Sequence, residues 1–353
     1  MLHSQAFKGK MKEEASEWFQ NRTASYLESF VVKILKKGPV PRHIAIIMDG
    51  NRRYASKHHL RCIEGHSEGF KRLTEVLWWC RELGIKEVTI YAFSIENFKR
   101  TQEEVSGLMT LAQEKMETLL KESNELKDHG VRIQFLGNRG LLSEPLRALM
   151  SQLEMSTRDH KNATLNVAFS YTSRDEIVRG IQHLAQGVQQ GLLDIPDIHE
   201  ELLDFVLDTR HTSPCDLVIR TSGEVRLSDF ILWQVDISST LLHCEGHPAQ
   251  WSADNLSGHV CQCCCLHCTF TTKVYTDPVI TCPSGFSCIY YTKILWPEFS
   301  SWHLFAAILY YQLQYPFLKE GRQMKACQQD MTLPSEKTER DRRIHAFLAT
   351  HLS

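Results

Sequence analysis

Hydrophobic and polar residues follow two different periods along this chain. Short apolar runs bounded by proline, glycine or polar residues predict buried strands. These runs lie at 43–48, 87–93, 131–136, 164–169 and 216–220. Between them apolar residues recur every three or four positions, which predicts helices at 64–84, 102–127, 144–157 and within 174–208. Because strands and helices alternate, the pattern predicts an α/β fold with a mostly parallel central sheet flanked by helices.

The two ends of the chain differ from this alternating middle. An amphipathic stretch at 11–37 ends at Lys-Lys-Gly-Pro, which is a helix-stop signature. This pattern predicts an N-terminal amphipathic helix within residues 1–37. Its polar face is mixed in sign, which favours packing on the core over lying on a membrane surface. Residues 321–353 are rich in charge and predict a solvated helix or tail.

Composition narrows the class of protein. The chain has 353 residues, 42% of them hydrophobic, which is enough for a sizeable core. The formal net charge of −2 favours no nucleic-acid partner, so any anion site must be built locally. No apolar segment reaches the roughly 18 residues of a membrane span, and the N-terminus is charged where a signal peptide is apolar. We therefore expect a protein on the cytosolic side, with peripheral contact to a membrane.

Polar and charged residues follow the predicted strands at the point where each strand ends. Ligands of open α/β sheets bind outside the carboxyl ends of strands, so these residues should share a site. They are Asp49, Asn51, Arg53, Ser94, Asn97, Arg100, Arg220, Arg226 and Ser228. Arginine binds phosphate oxygens bidentately, and four arginines exceed what one monophosphate needs. The set predicts a site for two diphosphates, with Asp49 holding Mg2+; a solvated surface turn is the alternative for Asp49-Gly-Asn.

His66 lies at the start of a predicted helix, where backbone amides favour anions. A capping or solvated histidine is the alternative. The chain has no G-x-G-x-x-G after its first strand and no G-x-x-x-x-G-K-S/T, so neither a dinucleotide fold nor a P-loop enzyme is supported.

Five ordered motifs resemble those of the cis-prenyltransferases, the undecaprenyl diphosphate synthase-like family. They are Met48-Asp-Gly-Asn-Arg-Arg53, Glu64-Gly-His66, Phe93-Ser-Ile-Glu-Asn-Phe-Lys-Arg100, the run from Ile219 to Gln234, and Leu295-Trp-Pro-Glu298. Within the family the resemblance is to the eukaryotic dehydrodolichyl diphosphate synthases. It spans about residues 20–234 and 287–320 and implies a catalytic domain over 38–234 plus 287–320. The implied reaction adds isopentenyl diphosphate in cis onto an allylic diphosphate such as farnesyl diphosphate, making long polyprenyl diphosphates for dolichol at the endoplasmic reticulum membrane.

The resemblance also implies a role for each site residue. Asp49 would hold Mg2+ on the allylic diphosphate, which Arg53 and His66 would also bind. Arg220, Arg226 and Ser228 would bind isopentenyl diphosphate, and Asn51 or Asn97 would help to remove the proton. The remaining substrate-binding positions are Gly50, Arg52, Arg61, Ser94, Phe98 and Arg100. The apolar stripe of the 102–127 helix, a core face by pattern alone, would then wall a tunnel for the growing chain.

Three positions depart from the family's pattern. Cys62 stands where the family has an arginine, although Arg61 lies beside it. Cys288 stands where bacterial members have a second metal-binding carboxylate, which leaves Asp49 as the one clear metal ligand. The chain ends Ala-Thr-His-Leu-Ser, whereas Arg-x-Gly completes the diphosphate site elsewhere in the family. The resemblance therefore implies a heteromer in which a Nogo-B receptor-like accessory subunit supplies that tail.

Residues 235–286 interrupt the resemblance. They hold seven of the twelve cysteines, and no hydrophobic period runs through them. The cysteine spacing is irregular, so a structural zinc site is the lesser alternative. We expect a disordered loop, and we hypothesise that it is translated non-coding sequence or a splice variant. An insertion at this place raises a second functional alternative, a catalytically impaired splice form or a scaffold subunit of the same complex.

Overall fold

The computed structural model describes residues 24–235, 287–329 and 337–351. Its strands are β1 (His43–Ile47), β2 (Glu87–Ser94), β3 (Val131–Leu136), β4 (Ala163–Tyr171), β5 (Leu217–Arg220) and β6 (Cys288–Tyr291). Its α-helices are α1 (Tyr26–Leu35), α2 (Asn51–Lys57), α3 (Cys62–Leu83), α4 (Gln102–Lys121), α5 (Ser123–His129), α6 (Glu144–Thr157), α7 (Ser173–Gln189), α8 (Glu200–Val206), α9 (Ser301–Gln329) and α10 (Lys337–His351). Short 3-10 segments join several of them, including Ile95–Lys99 after β2.

The six strands form one sheet in the order β3-β4-β2-β1-β5-β6, and every neighbouring pair is parallel. The predicted α/β class is therefore confirmed. β1 lies between β2 and β5, with Ile47 opposite both Tyr91 and Arg220. Because all strands run in the same direction, the residues that follow β1, β2 and β5 meet at one edge.

Alternate residues of β1 enter two separate cores, as the two-residue period of a strand requires. Ile44 and Ile46 pack with α1, α3 and α9 on one face. Ala45 and Ile47 pack with the residues around Phe230 on the other face. A third cluster joins β3 and β4 to α4, α5 and α6. The sheet is therefore covered on both sides, and its free functional surface is the carboxyl edge.

One predicted helix is divided, and the segment before the insertion is irregular. The single helix expected over 102–127 is divided into α4 and α5 at Glu122, which lies between them with φ −95° and ψ 23°. The run from 221 to Gln234, before the insertion, consists of turns and bends. Ser228, Asp229 and Ile231 have positive φ there, a backbone conformation that a right-handed helix excludes.

Both predicted terminal segments are described in part. α1 buries Val32 and Leu35 against the core, while Tyr26, Leu27 and Phe30 are exposed. At the other end, α10 buries Phe347 against α7 and α8. In the described part of the chain no helix is both long and apolar enough to span a bilayer. The cysteine-rich insertion, with its proposed disorder and its alternative zinc site, lies outside the described residues.

Glu122 yields a prediction about stability. Its side chain is buried, and neither carboxylate oxygen has a hydrogen-bond partner within the described ranges. Burial, and then the charge of Glu125, raise its pKa to about 7. Between pH 4.5 and 7 the folded chain keeps a proton that the unfolded chain has lost, so the free energy of unfolding falls as the pH rises. Glu122→Gln should therefore raise this free energy by on the order of 1 kcal/mol at pH 8.

Urea unfolding at pH 8 and pH 4.5 measures the effect, and the gain should fade at the lower pH. Glu114→Gln is the matched control, because Glu114 is an exposed residue of α4. An equal gain at both pH values would contradict the burial of a protonated Glu122.

Candidate active site

A cavity of about 1000 Å3 opens at the carboxyl edge of the sheet, beside β1, β2, β4 and β5. At the carboxyl ends of the strands its lining is polar and charged, with six arginines and three carboxylates. Its inner part is apolar and is lined by α4 together with residues of β3 and β4. A cationic mouth joined to an apolar interior suits a ligand that has an anionic head and a hydrocarbon tail.

Twelve of the fourteen predicted site residues line this cavity. They are Asp49, Gly50, Asn51, Arg52, Arg53, His66, Ser94, Asn97, Arg100, Arg220, Arg226 and Ser228. Arg61 and Phe98 do not line it. The Arg61 guanidinium instead donates to Glu64 at 2.9 and 3.1 Å on the protein surface. The Phe98 ring packs on Phe93, with the ring centroids 4.9 Å apart.

The turn after β1 requires a glycine. Gly50 has φ +110°, and a β-carbon there would lie 3.1 Å from the backbone of Leu295. Gly50 also precedes the first residue of α2, so the chain reverses from strand to helix within three residues. The Asp49 carbonyl accepts from the Trp296 N–H at 3.0 Å and from the Thr221 hydroxyl at 2.7 Å. These contacts fix the backbone that presents Asp49 to the cavity.

Two arginines hold the Asp49 carboxylate. Oδ2 accepts from Arg220 Nη2 at 3.0 Å, and Oδ1 lies 3.5 Å from Arg53 Nη2. Burial opposes ionisation of Asp49, but hydrogen bonds from Arg220 and Ser222 and the charges of both arginines outweigh it and lower the pKa. Asp49 is therefore an anion at neutral pH, and 35% of its side chain remains exposed.

Arg220 is the most buried cation of the site, with 6% of its side chain exposed. Nη1 donates to Ser228 Oγ at 2.7 Å and to the Arg226 carbonyl. The same guanidinium thus binds both the turn after β1 and the loop after β5. Arg226 itself is 79% exposed and forms an ion pair with Glu224 at 2.8 Å.

The segment after β2 forms another wall of the mouth. Asn97 Oδ1 accepts from the Ser94 N–H at 3.0 Å, which closes a 3-10 turn. Arg100 donates to Glu104 Oε1 at 2.7 Å, and Arg52 lies 3.8 Å from Glu104 Oε2. One carboxylate of α4 therefore aligns two guanidinium groups, one from α2 and one from the end of the 3-10 turn.

His66 lies beside these cations. Burial, followed by the charge of Arg100, lowers its pKa to about 4. At neutral pH the imidazole is therefore uncharged. Its Nε2 atom is buried, and none of the described residues forms a hydrogen bond with it. The alternative of a solvated histidine does not describe this side chain.

The interior of the cavity is built from the apolar stripe of α4. Leu108, Leu111, Ala112, Met116 and Leu119 line it, opposite Ile133, Phe135 and Phe169 of the sheet. Met116 and Leu119 also belong to the core behind the wall. The apolar stripe of α4 is therefore both a core face and a cavity wall. The two interpretations of its pattern are compatible.

Sequence reasoning missed four residues of the site. Ser222 accepts hydrogen bonds from both Nη groups of Arg53. Its carbonyl accepts one at 2.9 Å, and its hydroxyl accepts the other. Thr221 fixes Asp49, Glu104 aligns Arg52 and Arg100, and Arg174 lines the mouth. Thr221 and Ser222 directly follow a strand, so the strand-end rule was sufficient to find them. Glu104 lies on a helix, where it resembles any solvated acid.

Comparison with known proteins now identifies the class. A family model described as "Putative undecaprenyl diphosphate synthase" matches residues 47–258. The chain belongs to this family, the cis-prenyltransferases, as its five motifs indicated. It is 42% identical over 309 residues to the human dehydrodolichyl diphosphate synthase complex subunit DHDDS, covering 88% of this chain and 78% of that one.

A second relative and a solved structure agree with this assignment. The chain is 34% identical to a dehydrodolichyl diphosphate synthase complex subunit of Schizosaccharomyces pombe, with 83% of this chain and 92% of that one covered. The fold is similar to lavandulyl diphosphate synthase from Lavandula x intermedia in complex with dimethylallyl diphosphate. That comparison has a TM-score of 0.60 and 26% identity, and it covers 77% of this chain and 95% of the other.

Close packing against Asn51 yields the next prediction. A β-carbon on Gly69 would overlap Asn51 Oδ1 and would lie 3.0 Å from the Trp296 ring. Gly69→Ala should therefore lower the free energy of unfolding by about 1–2 kcal/mol, because overpacking exceeds the gain in helix propensity. Gly107→Ala in α4 is the control, since its nearest neighbour would be 3.6 Å away. Urea unfolding should show Gly107→Ala neutral or stabilising, and a stabilising Gly69→Ala would contradict the close packing.

Proposed function

We propose that this protein condenses isopentenyl diphosphate in cis onto an allylic diphosphate, such as farnesyl diphosphate, to make long-chain polyprenyl diphosphates for dolichol synthesis. The single observation behind this proposal is the continuous cavity that joins an arginine-rich mouth to an apolar interior. Both diphosphate heads fit the mouth, and the hydrocarbon chain fits the interior. Family membership and the names of the two relatives support the same reaction.

The two diphosphates divide the mouth between them. The allylic diphosphate binds beside α2 and α3, where Gly50, Arg52, Arg53 and His66 face the cavity. A neutral His66 contributes a hydrogen bond to it and no charge. Isopentenyl diphosphate binds beside the loop after β5, to Arg220, Arg226 and Ser228. Ser94 and Arg100 close the side nearest α4.

The residues around Asp49 fit Mg2+. An ionised, partly exposed carboxylate supplies the hard oxygen ligand that Mg2+ prefers, and substrate phosphate oxygens and water complete such sites. When bound, Mg2+ neutralises the diphosphate as the carbon–oxygen bond breaks. Cys288 cannot add a ligand, because it is buried within the core and burial raises the pKa of its thiol. Asp49 is thus the one carboxylate among the twelve predicted residues that line the cavity.

The remaining chemistry is positioning and electrostatics. The arginines hold both diphosphates so that the double bond of isopentenyl diphosphate lies against the forming allylic cation. A proton then leaves the new chain, and Asn51 and Asn97 are the candidates to assist. Asn97 Oδ1 already accepts from Ser94, whereas the buried Asn51 Oδ1 has no donor among the described residues. This difference favours Asn51 as the residue that assists removal of the proton.

The product extends along the wall formed by α4. Each buried methylene is favourable by about 0.8 kcal/mol, so the apolar interior retains a lengthening chain. Met116, Leu119 and Phe135 are among the apolar residues that line the cavity.

The partner and the location extend the proposal. Both relatives are named as subunits of a complex. We propose that this chain acts as a heteromer with a Nogo-B receptor-like accessory subunit, whose Arg-x-Gly tail completes the diphosphate site. The exposed apolar face of α1, with Tyr26, Leu27 and Phe30, suits peripheral attachment. Attachment would be on the cytosolic face of the endoplasmic reticulum, where the polyprenyl product enters the membrane.

Asp49→Ala should lower incorporation of labelled isopentenyl diphosphate at least ~100-fold, because the metal ligand is lost from the charged centre of the site. The assay uses farnesyl diphosphate and Mg2+ with the partner subunit present. Asp159→Ala is the matched control, since the Asp159 side chain is 89% exposed. Retained turnover in Asp49→Ala would refute the metal assignment. Absence of turnover in folded wild-type complex would favour the scaffold alternative.

Turnover should also depend on the partner's tail. The chain alone and the chain with a tail-truncated partner should both be at least ~100-fold slower than the intact complex, because arginine groups bind phosphate at the reacting centre. Size-exclusion chromatography of the truncated complex is the control for assembly. Full activity of the chain alone would refute completion of the site by a partner.

A further inference from the structure

A cluster of three different side chains lies at the edge of the cavity, apart from Asp49. Cys62 and His66 are four residues apart on α3 and therefore share one face of that helix. Glu104 lies in the first turn of α4. Each residue offers one ligand atom: a thiol sulfur, an imidazole nitrogen or a carboxylate oxygen. These three atoms lie within 4.8 Å of one another.

From this cluster we propose a binding site for a thiophilic divalent metal, Zn2+ above all, formed by Cys62, His66 and Glu104. Thiolate, imidazole and carboxylate are the three ligand types that zinc takes in proteins, whereas Mg2+ prefers oxygen ligands alone. A tetrahedral zinc site places its ligand atoms about 3.5 Å apart. The observed ligand atoms lie within 4.8 Å of one another, so each pair must approach by at most about 1.3 Å to reach that spacing.

The state of each ligand agrees with this assignment. Cys62 is a free cysteine. The buried Nε2 of His66 has no hydrogen-bond partner in the part of the chain that the structure describes. Glu104 Oε1 accepts a hydrogen bond from Arg100, whereas Oε2 lies 3.8 Å from Arg52 and is the more open oxygen. The Cys62 thiol also hydrogen-bonds to the Glu104 carboxylate, and a metal would replace the proton of that contact.

A metal here would act on the mouth of the cavity. His66, Arg52 and Arg100 line the cavity, whereas Cys62 and Glu104 do not. Burial and the charge of Glu104 raise the pKa of the Cys62 thiol, so metal binding must release the thiol proton. Gain of Zn2+ and loss of one proton add one positive charge beside the two arginines. The fourth coordination position is left for water or for a substrate oxygen.

Co2+ binding tests the site without any measurement of turnover, so its result is independent of the proposed prenyl transfer. The full chain is freed of metal and titrated with Co2+ in excess Mg2+. Wild type should bind one more tight equivalent than Cys62→Ser or His66→Gln, with a thiolate-to-cobalt charge-transfer band and tetrahedral d–d bands that both variants lose. The cysteines of 235–286 contribute equally to every sample, so the difference between variants reports this cluster.

Cys80→Ser is the matched control, because Cys80 is a buried cysteine of the same helix that faces the core. It should keep the additional equivalent and the bands. Circular dichroism confirms that each variant is folded. Equal Co2+ stoichiometry and equal bands in wild type, Cys62→Ser and His66→Gln would overturn the proposal, as would displacement of the additional Co2+ by Mg2+.

Discussion

The buried guanidinium of Arg220 is the interaction on which the active site depends. A charge removed from water is costly unless it is paired and hydrogen-bonded, and Arg220 is both. Its two Nη groups bind the Asp49 carboxylate, the Ser228 hydroxyl and the Arg226 carbonyl. These acceptors belong to the turn after β1 and to the loop after β5. One cation therefore sets the relative positions of the two segments that we assign to the two diphosphates.

The sheet explains why a charged mouth and an apolar interior can share one cavity. Parallel strands place their polar ends at one edge, while their side chains keep a two-residue alternation along the strands. Helix α4 lies across the boundary between these regions. Its first turn carries Glu104, which aligns Arg52 and Arg100, and its later turns carry the apolar wall. The contacts that align the arginines and the apolar wall thus belong to successive turns of a single helix.

Strand-end residues were predictable because parallel strands bring their ends together whatever their order. Asp49, Ser94 and Arg220 lie at the ends of strands and were predicted for that reason, and all three line the cavity. Ser222 follows β5 and was open to the same rule, although its carbonyl contact with Arg53 has no signature in a sequence. Arg61 was assigned to the site by its neighbourhood, yet its guanidinium pairs with Glu64 within the same helical turn.

By itself the sequence determined the elements that depend on local periodicity. These include the strand at 131–136, the helix at 144–157 and the alternation that makes the sheet parallel. Only the tertiary structure decided the strand order, the division of a long helix at Glu122 and the turns before Gln234. It also brought Cys62 and His66 to Glu104, about forty residues away in the chain. Periodicity specifies which face of each helix is apolar, but the distance between two helices is set by the packing of all the side chains between them.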